Sequence, residues 1–510
     1  MNGGLIHQGL ERAASGFGDH DALWAGDDRW TFADLDGLAN AFARHLLASG
    51  IGPHDRVAVM TTNRPEFVVA VHAIGKVGAA AVLISPAWKA VEVGHAVELT
   101  GPVAAVADGA GTALLADLLG ADRVTDLDAA AALAVILDGD RSPLPPPAIG
   151  PDDDAVLVFS SGTTGFPKAV RHTHRSMGHA TTHWVEALGL GPTDRFQVAT
   201  PPSHILGLLN LLAAARAGAT VRLHPRFDLD VLLRHIQDER MTLEMAVAPI
   251  ALAMANHPDL ESYDLSSLRY IMWGATPVTP AVAEVVTRRS GVRWLPAYGA
   301  SELPVITCNP VGRPDEWRLD SAGLPPTGVE LRVVDLETGE VVPVGEVGEV
   351  GEVQVLSPSV MAGYLPESAT PDAFDDGWYR TGDVGWIEPE GWVHLTDRSK
   401  EMIKVNGFQV APAEIEAVLH AHPAVLDCAV FGLADERAGE VPVGVVELDP
   451  AVPLADGELE LLVADSLATY KQLRHVVVVD QIPRLPSGKV LRRTLCDELT
   501  PTLLAPREDE

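Results

Sequence analysis

The sequence predicts an α/β protein in three parts: a large N-terminal domain of helix-covered, mostly parallel sheets, a smaller β-rich subdomain, and a small α+β C-terminal domain. Three observations predict this. Between residues 56 and 297, short apolar runs alternate with helix-length stretches, the pattern of parallel strands covered on both faces. From Glu330 the texture changes to short strands separated by glycine turns, and beyond Asp397 a compact mixed unit follows. At 510 residues the chain is also too long for one ordinary domain.

Taken in order, Trp30-Thr31-Phe32-Ala33-Asp34-Leu35 opens an amphipathic helix that Gly50-Ile51-Gly52-Pro53 stops. Residues 56–60 read as a strand, 65–77 as a helix and 79–84 as a strand. The Pro-rich run 142–147 is a stiff surface connector. Residues 155–159 form a buried strand, and 171–188 read as a helix. Further strands are expected at 195–200, 219–224, 242–247, 269–273 and 292–297, with helices at 205–217, 229–239, 250–257 and 279–289 between them. Short strands follow at 330–335, 349–356 and 392–396, then strands at 426–432 and 443–448 with a helix at 458–469.

With 47% hydrophobic residues the chain can bury large cores. Its formal charge of −33 argues against nucleic acid and against an anionic membrane surface as partners. Any anionic ligand must be held by local cations working against the global field. Three widely spaced cysteines, Cys308, Cys428 and Cys496, suggest neither a disulfide framework nor a zinc site and fit a reducing cytoplasm. The N-terminus has no signal-peptide core, and the most apolar window, 67–84, is interrupted by His72, Lys76 and two glycines, so no membrane span is expected.

The chemistry centres on Ser160-Ser161-Gly162-Thr163-Thr164-Gly165-Phe166-Pro167-Lys168. A strand that breaks into hydroxyls and two glycines suits a polyphosphate: the glycines let backbone N–H groups approach, the hydroxyls donate, and Lys168 adds a point charge. It is not a Walker A loop, whose spacing differs. Alone, such a loop is equally a polar surface turn. Four further clusters accompany it. Tyr298-Gly299-Ala300-Ser301-Glu302 follows a strand and offers an aromatic face, a hydroxyl and a carboxylate able to hold Mg²⁺ against phosphate. Tyr379-Arg380-Thr381-Gly382-Asp383 places a carboxylate on a turn, suited to two ribose hydroxyls. A charged stretch runs from Asp397 through a glycine hairpin to Val410, and Pro486-Ser487-Gly488-Lys489 forms a loop near the C-terminus. Singly, Asp383 reads as a turn former and Lys489 as a solvated lysine.

Together and in this order, these motifs resemble the adenylate-forming superfamily of acyl-CoA synthetases, aryl-CoA ligases, beetle luciferases and peptide-synthetase adenylation domains. The likeness runs from Trp30 to about Arg493, and the stretch from Thr31 to Leu35 agrees with it. It implies that a carboxylic acid attacks the α-phosphate of ATP, releasing pyrophosphate, and that a thiol, usually of CoA, then displaces AMP. It implies a domain at 1–396 (with the β subdomain at 330–396), a hinge at 397–400 pivoting on Lys400, and a mobile domain at 401–510. Ser160, Ser161, Gly162, Thr163, Thr164, Gly165 and Lys168 would then cradle phosphates, with Glu302 on Mg²⁺ and Ser301 beside it. Tyr298 would pack on adenine, Asp383 and Arg398 would hold the ribose, and Lys489 would reach the point where carboxylate meets α-phosphate. Lys404 and Gln409 match residues of the adenylation step, and His204 matches a histidine at the mouth of the acyl pocket. The pocket walls would come from Ile205, Leu208, Val247, Trp273, Gly274, Ala275, Leu303 and Val305.

Two departures bear on the outcome. Trp273 stands where a small residue is common, so its indole either shortens the pocket or fills core. Asn406 stands where many relatives carry lysine, which leaves the acceptor open among CoA, an acyl-carrier-protein thiol and an amine. The missing Phe-Asp arrangement after His204 argues against an amino acid substrate.

Overall fold

The computed structural model describes residues 4–160, 167–274, 276, 278–343, 350–398, 401–405, 408–435, 437–484 and 489–503, by backbone alone at 397, 398, 408 and 409. Among these residues the strands form four sheets. The first has seven strands in the order Gly363–Leu365, Lys168–Thr173, Asp154–Ser160, Ala80–Leu83, Arg56–Met60, Ala104–Ala107, Val124–Asp126. It is parallel except at its first two pairs. The second has eight: Thr307–Cys308, Trp294–Tyr298, Tyr270–Trp273, Leu243–Ala246, Arg195–Val198, Thr220–Leu223, Asp21–Ala25, Asp28–Thr31. Only its outermost pairs are antiparallel. The predicted strand 56–60 and helices 205–217 and 229–239 coincide with Arg56–Met60, Ile205–Ala217 and Leu229–Glu239.

Strand alternation sorts the layers. On Tyr270–Trp273, Tyr270 and Met272 face one core while Ile271 and Trp273 face another, as a period of two requires. The first core joins the inner faces of both large sheets to helices Phe32–Ala48, Pro65–Lys76, His174–Leu188 and Ile205–Ala217, which lie between them. The second core covers the eight-stranded sheet with Leu229–Glu239, Ala248–Ala255 and Pro280–Ser290. A third covers the seven-stranded sheet with Ala90–Thr100 and Gly109–Leu119. The helix Phe32–Ala48 starts where Thr31 accepts from the Asp34 N–H and the Asp34 carboxylate accepts from the Thr31 N–H, a capping box.

Two expectations are corrected. Residues 171–173 belong to a strand, Lys168–Thr173, which returns antiparallel along Asp154–Ser160; the helix begins only at His174. Thr173 sets that boundary by capping Ser176 N with its hydroxyl at 3.1 Å. Asp383 lies within a ten-residue strand, Trp378–Ile387, rather than on a free turn. Between the pairs Glu352↔Val384 and Gln354↔Arg380, only Val353 faces Thr381, Gly382 and Asp383. The strand therefore bulges there, and Gly382 takes a φ of +70° that other residues rarely adopt.

Six strands of the β subdomain, including Val393–Arg398, make the third sheet. The fourth has five and contains the antiparallel pair Ile403–Val405 and Phe408–Val410, so the chain changes sheet between 398 and 403. Among the described residues no helix is long and apolar enough to cross a membrane.

Under Leu229–Glu239 the second core holds a polar group with no opening to water. Gln197 Nε2 donates to Glu244 Oε2 at 2.8 Å and to the Leu232 carbonyl, while His224 Nε2 donates to Gln197 Oε1 at 2.6 Å. Burial pushes the Glu244 carboxyl up to about 8, so the folded protein keeps its proton at neutral pH. A raised carboxyl stabilises the fold fully below the unfolded value of 4.5 and loses that contribution as pH rises to about 8. The slope over that window is about 1.4 kcal/mol per pH unit. Glu244→Gln is therefore expected to leave thermal stability near wild type at pH 4.5 and to exceed it increasingly toward pH 8. Parallel melting curves across that range check it.

Candidate active site

The strand Trp294–Tyr298 ends where the chain must turn sharply, because a Cβ on Gly299 would stand 2.2 Å from the Pro304 carbonyl oxygen. Ala300 N donates to Leu303 O at 2.9 Å and Ile306 N to Tyr298 O at 2.9 Å, closing a tight loop that presents Ser301 and Glu302. His172, on the hairpin strand that Lys168 begins, reaches across and donates Nε2–H to the Ser301 carbonyl at 2.7 Å. Burial lowers the His172 pKa to about 4, so the ring is neutral and its proton sits on that nitrogen. Met361 N donates to the Glu302 carbonyl at 2.8 Å, and the Tyr364 hydroxyl donates to Glu302 Oε1 at 2.8 Å.

Asp383 is brought to the same place. Its carboxylate accepts from the Tyr298 hydroxyl, and its backbone N–H donates to Thr381 Oγ1 at 3.0 Å. The bulge is fixed from the neighbouring strand: Glu352 accepts from Gly382 N at 3.2 Å and from Arg380 Nε at 3.0 Å. Asp383 and Arg398 are direct partners across adjacent antiparallel strands. At the centre is Tyr379, whose hydroxyl is raised well above its usual value by burial and then by Glu302, Tyr364, Tyr298 and Asp383 around it. Motifs 85 residues apart in sequence, Tyr298 and Asp383, thus share one buried neighbourhood.

The expected phosphate motif is described only at its ends. Ser160 closes one strand and pairs with Lys168, which opens the next; Ser161, Gly162, Thr163, Thr164 and Gly165 lie outside the described residues. The Lys168 ammonium stands 4.9 Å above the Tyr364 ring. Lys400 and Asn406 also lie outside, whereas Lys404 and Gln409 are opposite each other on the C-terminal hairpin. Lys489 pairs with Glu401 at 3.6 Å, and Arg492 holds the same carboxylate at 2.6 Å. A cleft of about 310 Å³ separates Val384 and Thr396 from Met402, Ala411 and Glu414, at the junction with the C-terminal unit.

The expected acyl-pocket residues are not all brought together. Ile205, Leu208, Leu303 and Val305 share the core between the large sheets, while Val247 and Trp273 pack in the core on the far face of the eight-stranded sheet. Trp273 is 1% exposed, with its ring 5.0 Å from that of Trp294 and Nε1 donating to Thr276 Oγ1 at 3.3 Å. Gly274 follows the strand, and Ala275 is outside the described residues. His204 is the N-cap of Ile205–Ala217, and burial lowers its pKa, which favours the neutral ring. Sequence reasoning missed His172 and Tyr364, and it quoted Tyr379 only as the start of a motif without giving it a place in the site. The histidine was hidden in a presumed helix, and Tyr364 lies in a three-residue strand too short to show an alternating pattern.

Residues 10–365 match the family model described as AMP-binding enzyme, and residues 414–489 match its C-terminal domain. The chain belongs to the AMP-binding enzyme family. It is 34% identical to 4-coumarate–CoA ligase 5 of Oryza sativa subsp. japonica over 480 residues, 91% of this chain and 88% of the relative. A 3-[(3aS,4S,7aS)-7a-methyl-1,5-dioxo-octahydro-1H-inden-4-yl]propanoyl:CoA ligase of Rhodococcus jostii is also 34% identical, over 96% of this chain and 98% of its own. Among solved structures, the anthranilate CoA ligase AuaEII in complex with anthranoyl-AMP superposes with a TM-score of 0.91 at 25% identity, covering 99% of each chain. The enzyme is an AMP-forming acid–thiol ligase: it activates a carboxylic acid as the adenylate, then passes the acyl group to CoA.

Two outcomes are expected. With Asp383 on the ribose, as the resemblance implies, Asp383→Ala should weaken ATP by about ten- to a hundredfold, the loss of roughly 1.5–3 kcal/mol in hydrogen bonds to a charged group. Calorimetric titration of the folded variant checks it. Trp273→Ala should cost about 3–5 kcal/mol as a large-to-small core change and leave the ranking of acids unaltered. Thermal unfolding beside a chain-length series of acids checks both halves.

Proposed function

We propose that this ligase activates a carboxylic acid carried on a ring, aryl or fused alicyclic, using Mg-ATP, and transfers it to free CoA. The observation that carries the adenylation chemistry is the shared neighbourhood of Glu302, Tyr298 and Asp383, with Lys168 held beside it. Adenylyl transfer needs positioning and charge neutralisation more than covalent help. Tyr298, oriented by its hydrogen bond to Asp383, would pack on adenine, and Asp383 with Arg398 would take the ribose hydroxyls. Lys168 and the hydroxyls of Thr163 and Thr164 would meet the β- and γ-phosphates. The ring-bearing acid rests on the names of the three relatives above.

Glu302 fits Mg²⁺: it is a buried carboxylate with Oε1 taken by the Tyr364 hydroxyl, and Mg²⁺ takes one or two carboxylates plus phosphate oxygens. Among the described residues no group of three His, Cys, Asp or Glu could hold a metal alone, consistent with a shell completed by the nucleotide. Bound there, the ion would supply charge neutralisation at the phosphates.

Residues 397–400 would be the pivot, with 1–396 and 401–510 as the moving bodies. Lys489 would leave Glu401 to reach the reacting carboxylate and α-phosphate, assisted by Lys404 and Gln409, while neutral His204 would border the acid and the thiol. Lys489→Ala should lower acid-dependent pyrophosphate release by about 10²–10³-fold, the scale of losing one charge-stabilising donor. Thioester formation from a supplied acyl-adenylate should fall far less. Equal losses in both half-reactions would remove Lys489 from the adenylation step. A pyrophosphate-release screen of arylpropenoic, fused-ring propanoic, benzoic and straight-chain acids, with and without CoA, tests the substrate class. Preference for straight-chain acids would overturn it. Adenylate that persists with CoA but is consumed by a carrier protein or an amine would overturn the acceptor.

A further inference from the structure

Tyr364 sits between two groups of opposite charge that the reaction has to keep apart. It is the middle residue of Gly363–Leu365, paired antiparallel with the strand that Lys168 begins. Its ring face carries the Lys168 ammonium at 4.9 Å, and its hydroxyl donates to Glu302 Oε1 at 2.8 Å. The side chain is 8% exposed and has little freedom. Its backbone N–H donates to Thr370 Oγ1 at 2.9 Å, and Ala362 N donates to Arg171 O at 2.8 Å. Gly363 lies so close to Thr370 that a Cβ would stand 2.8 Å from Oγ1. Glu302 is gripped twice by this one segment, at its carbonyl by Met361 N and at its carboxylate by Tyr364.

The physical problem is plain. A lysine meant for phosphate and a carboxylate meant for a divalent cation would, side by side and half-buried, neutralise each other before any nucleotide arrived. Among the described residues Lys168 and Glu302 form no ion pair; each instead contacts Tyr364. A ring face attracts an ammonium without consuming its donors, and a phenol hydroxyl occupies one carboxylate oxygen while leaving the negative charge in place.

We propose that Tyr364 is a positioning residue for the adenylation half-reaction: its ring holds Lys168 for phosphate while its hydroxyl aims Glu302 at the metal. The proposal rests on the reading that Lys168 and Glu302 serve the phosphates and their cation. Two variants separate its halves. Tyr364→Phe keeps the ring and removes the hydroxyl, and Tyr364→Leu removes both.

The measurement is calorimetric binding of ATP to the full chain in EDTA and in Mg²⁺, with melting temperatures alongside and Glu302→Gln and Lys168→Met as references. Tyr364→Phe should bind ATP in EDTA as wild type does and lose about tenfold of the gain that Mg²⁺ gives, the scale of a hydrogen bond to a charged group. Tyr364→Leu should weaken ATP about threefold or more even in EDTA, the scale of a cation–π contact. A Phe variant with an undiminished Mg²⁺ gain would overturn the role of the hydroxyl. A Leu variant that merely melts lower, with the same affinities as Phe, would overturn the role of the ring. If Glu302→Gln and Lys168→Met themselves leave both affinities intact, the underlying assignment of those two residues fails instead. If they lower affinity while both Tyr364 variants match wild type, only the Tyr364 proposal fails.

Discussion

One hydrogen bond, from His172 Nε2 to the carbonyl of Ser301, ties the two large sheets together beside the proposed site. His172 belongs to the seven-stranded sheet and Ser301 to the loop that leaves the eight-stranded one. Each sheet supplies part of the proposed site: the hairpin that Lys168 begins comes from the first, Tyr298 and the loop of Glu302 from the second. Side-chain packing is not directional, and hydrogen bonds such as this one and those from Asn63 Nδ2 to the Ala199 and Thr200 carbonyls fix the relative placement of the sheets. A neutral, fully enclosed imidazole is a directional tie, because it has one proton to give and the Ser301 carbonyl accepts it. The segment Met361–Tyr364 repeats the tie from the same edge, since it pairs with the hairpin strand and grips Glu302 at both ends.

How much of this was legible beforehand divides along physical lines. Long apolar or amphipathic helices and buried parallel strands announce themselves by the length and pattern of their apolar runs, so Ile205–Ala217, Leu229–Glu239 and Arg56–Met60 coincide with the sequence expectation to the residue. The family and its two-step chemistry were legible from the motifs and their order. The hairpin strand Lys168–Thr173 was not, because six residues ending at a helix cap carry too little alternation to outweigh the helix that follows. Asp383 was placed on a turn beside Gly382. That glycine in fact serves a bulge, which depends on Glu352 and Val353 from another strand. The pocket walls were grouped by the resemblance alone. Which face of a strand each residue occupies decides that grouping, and Trp273 and Leu208 fall on different sides of one sheet.

The acidic composition sharpens the role of each local cation. With a net charge of −33, the field over most of the surface repels a nucleotide, so the few lysines near the site act against their surroundings. Lys489 and Arg492 share Glu401, and Lys168 rests on an aromatic face rather than on a carboxylate. These arrangements keep cationic side chains ordered at two different stations, one on a ring and one on an acid beside the proposed pivot.

The pairing of Asp383 with Arg398 has a thermodynamic consequence. Arg398 is the last residue of its strand, and the proposed pivot begins in the same few residues. Whatever a ribose bound at Asp383 would do to the ladder there would therefore be felt within a residue or two of the point about which the C-terminal unit would turn. Linkage then works in both directions: a nucleotide that favours one orientation of that unit is itself bound more tightly in it, by the same factor. Departure of AMP after thiol attack and reorientation of the unit would be two faces of one equilibrium. A change confined to residues 383–398 would shift both together while leaving the acid end of the enzyme untouched.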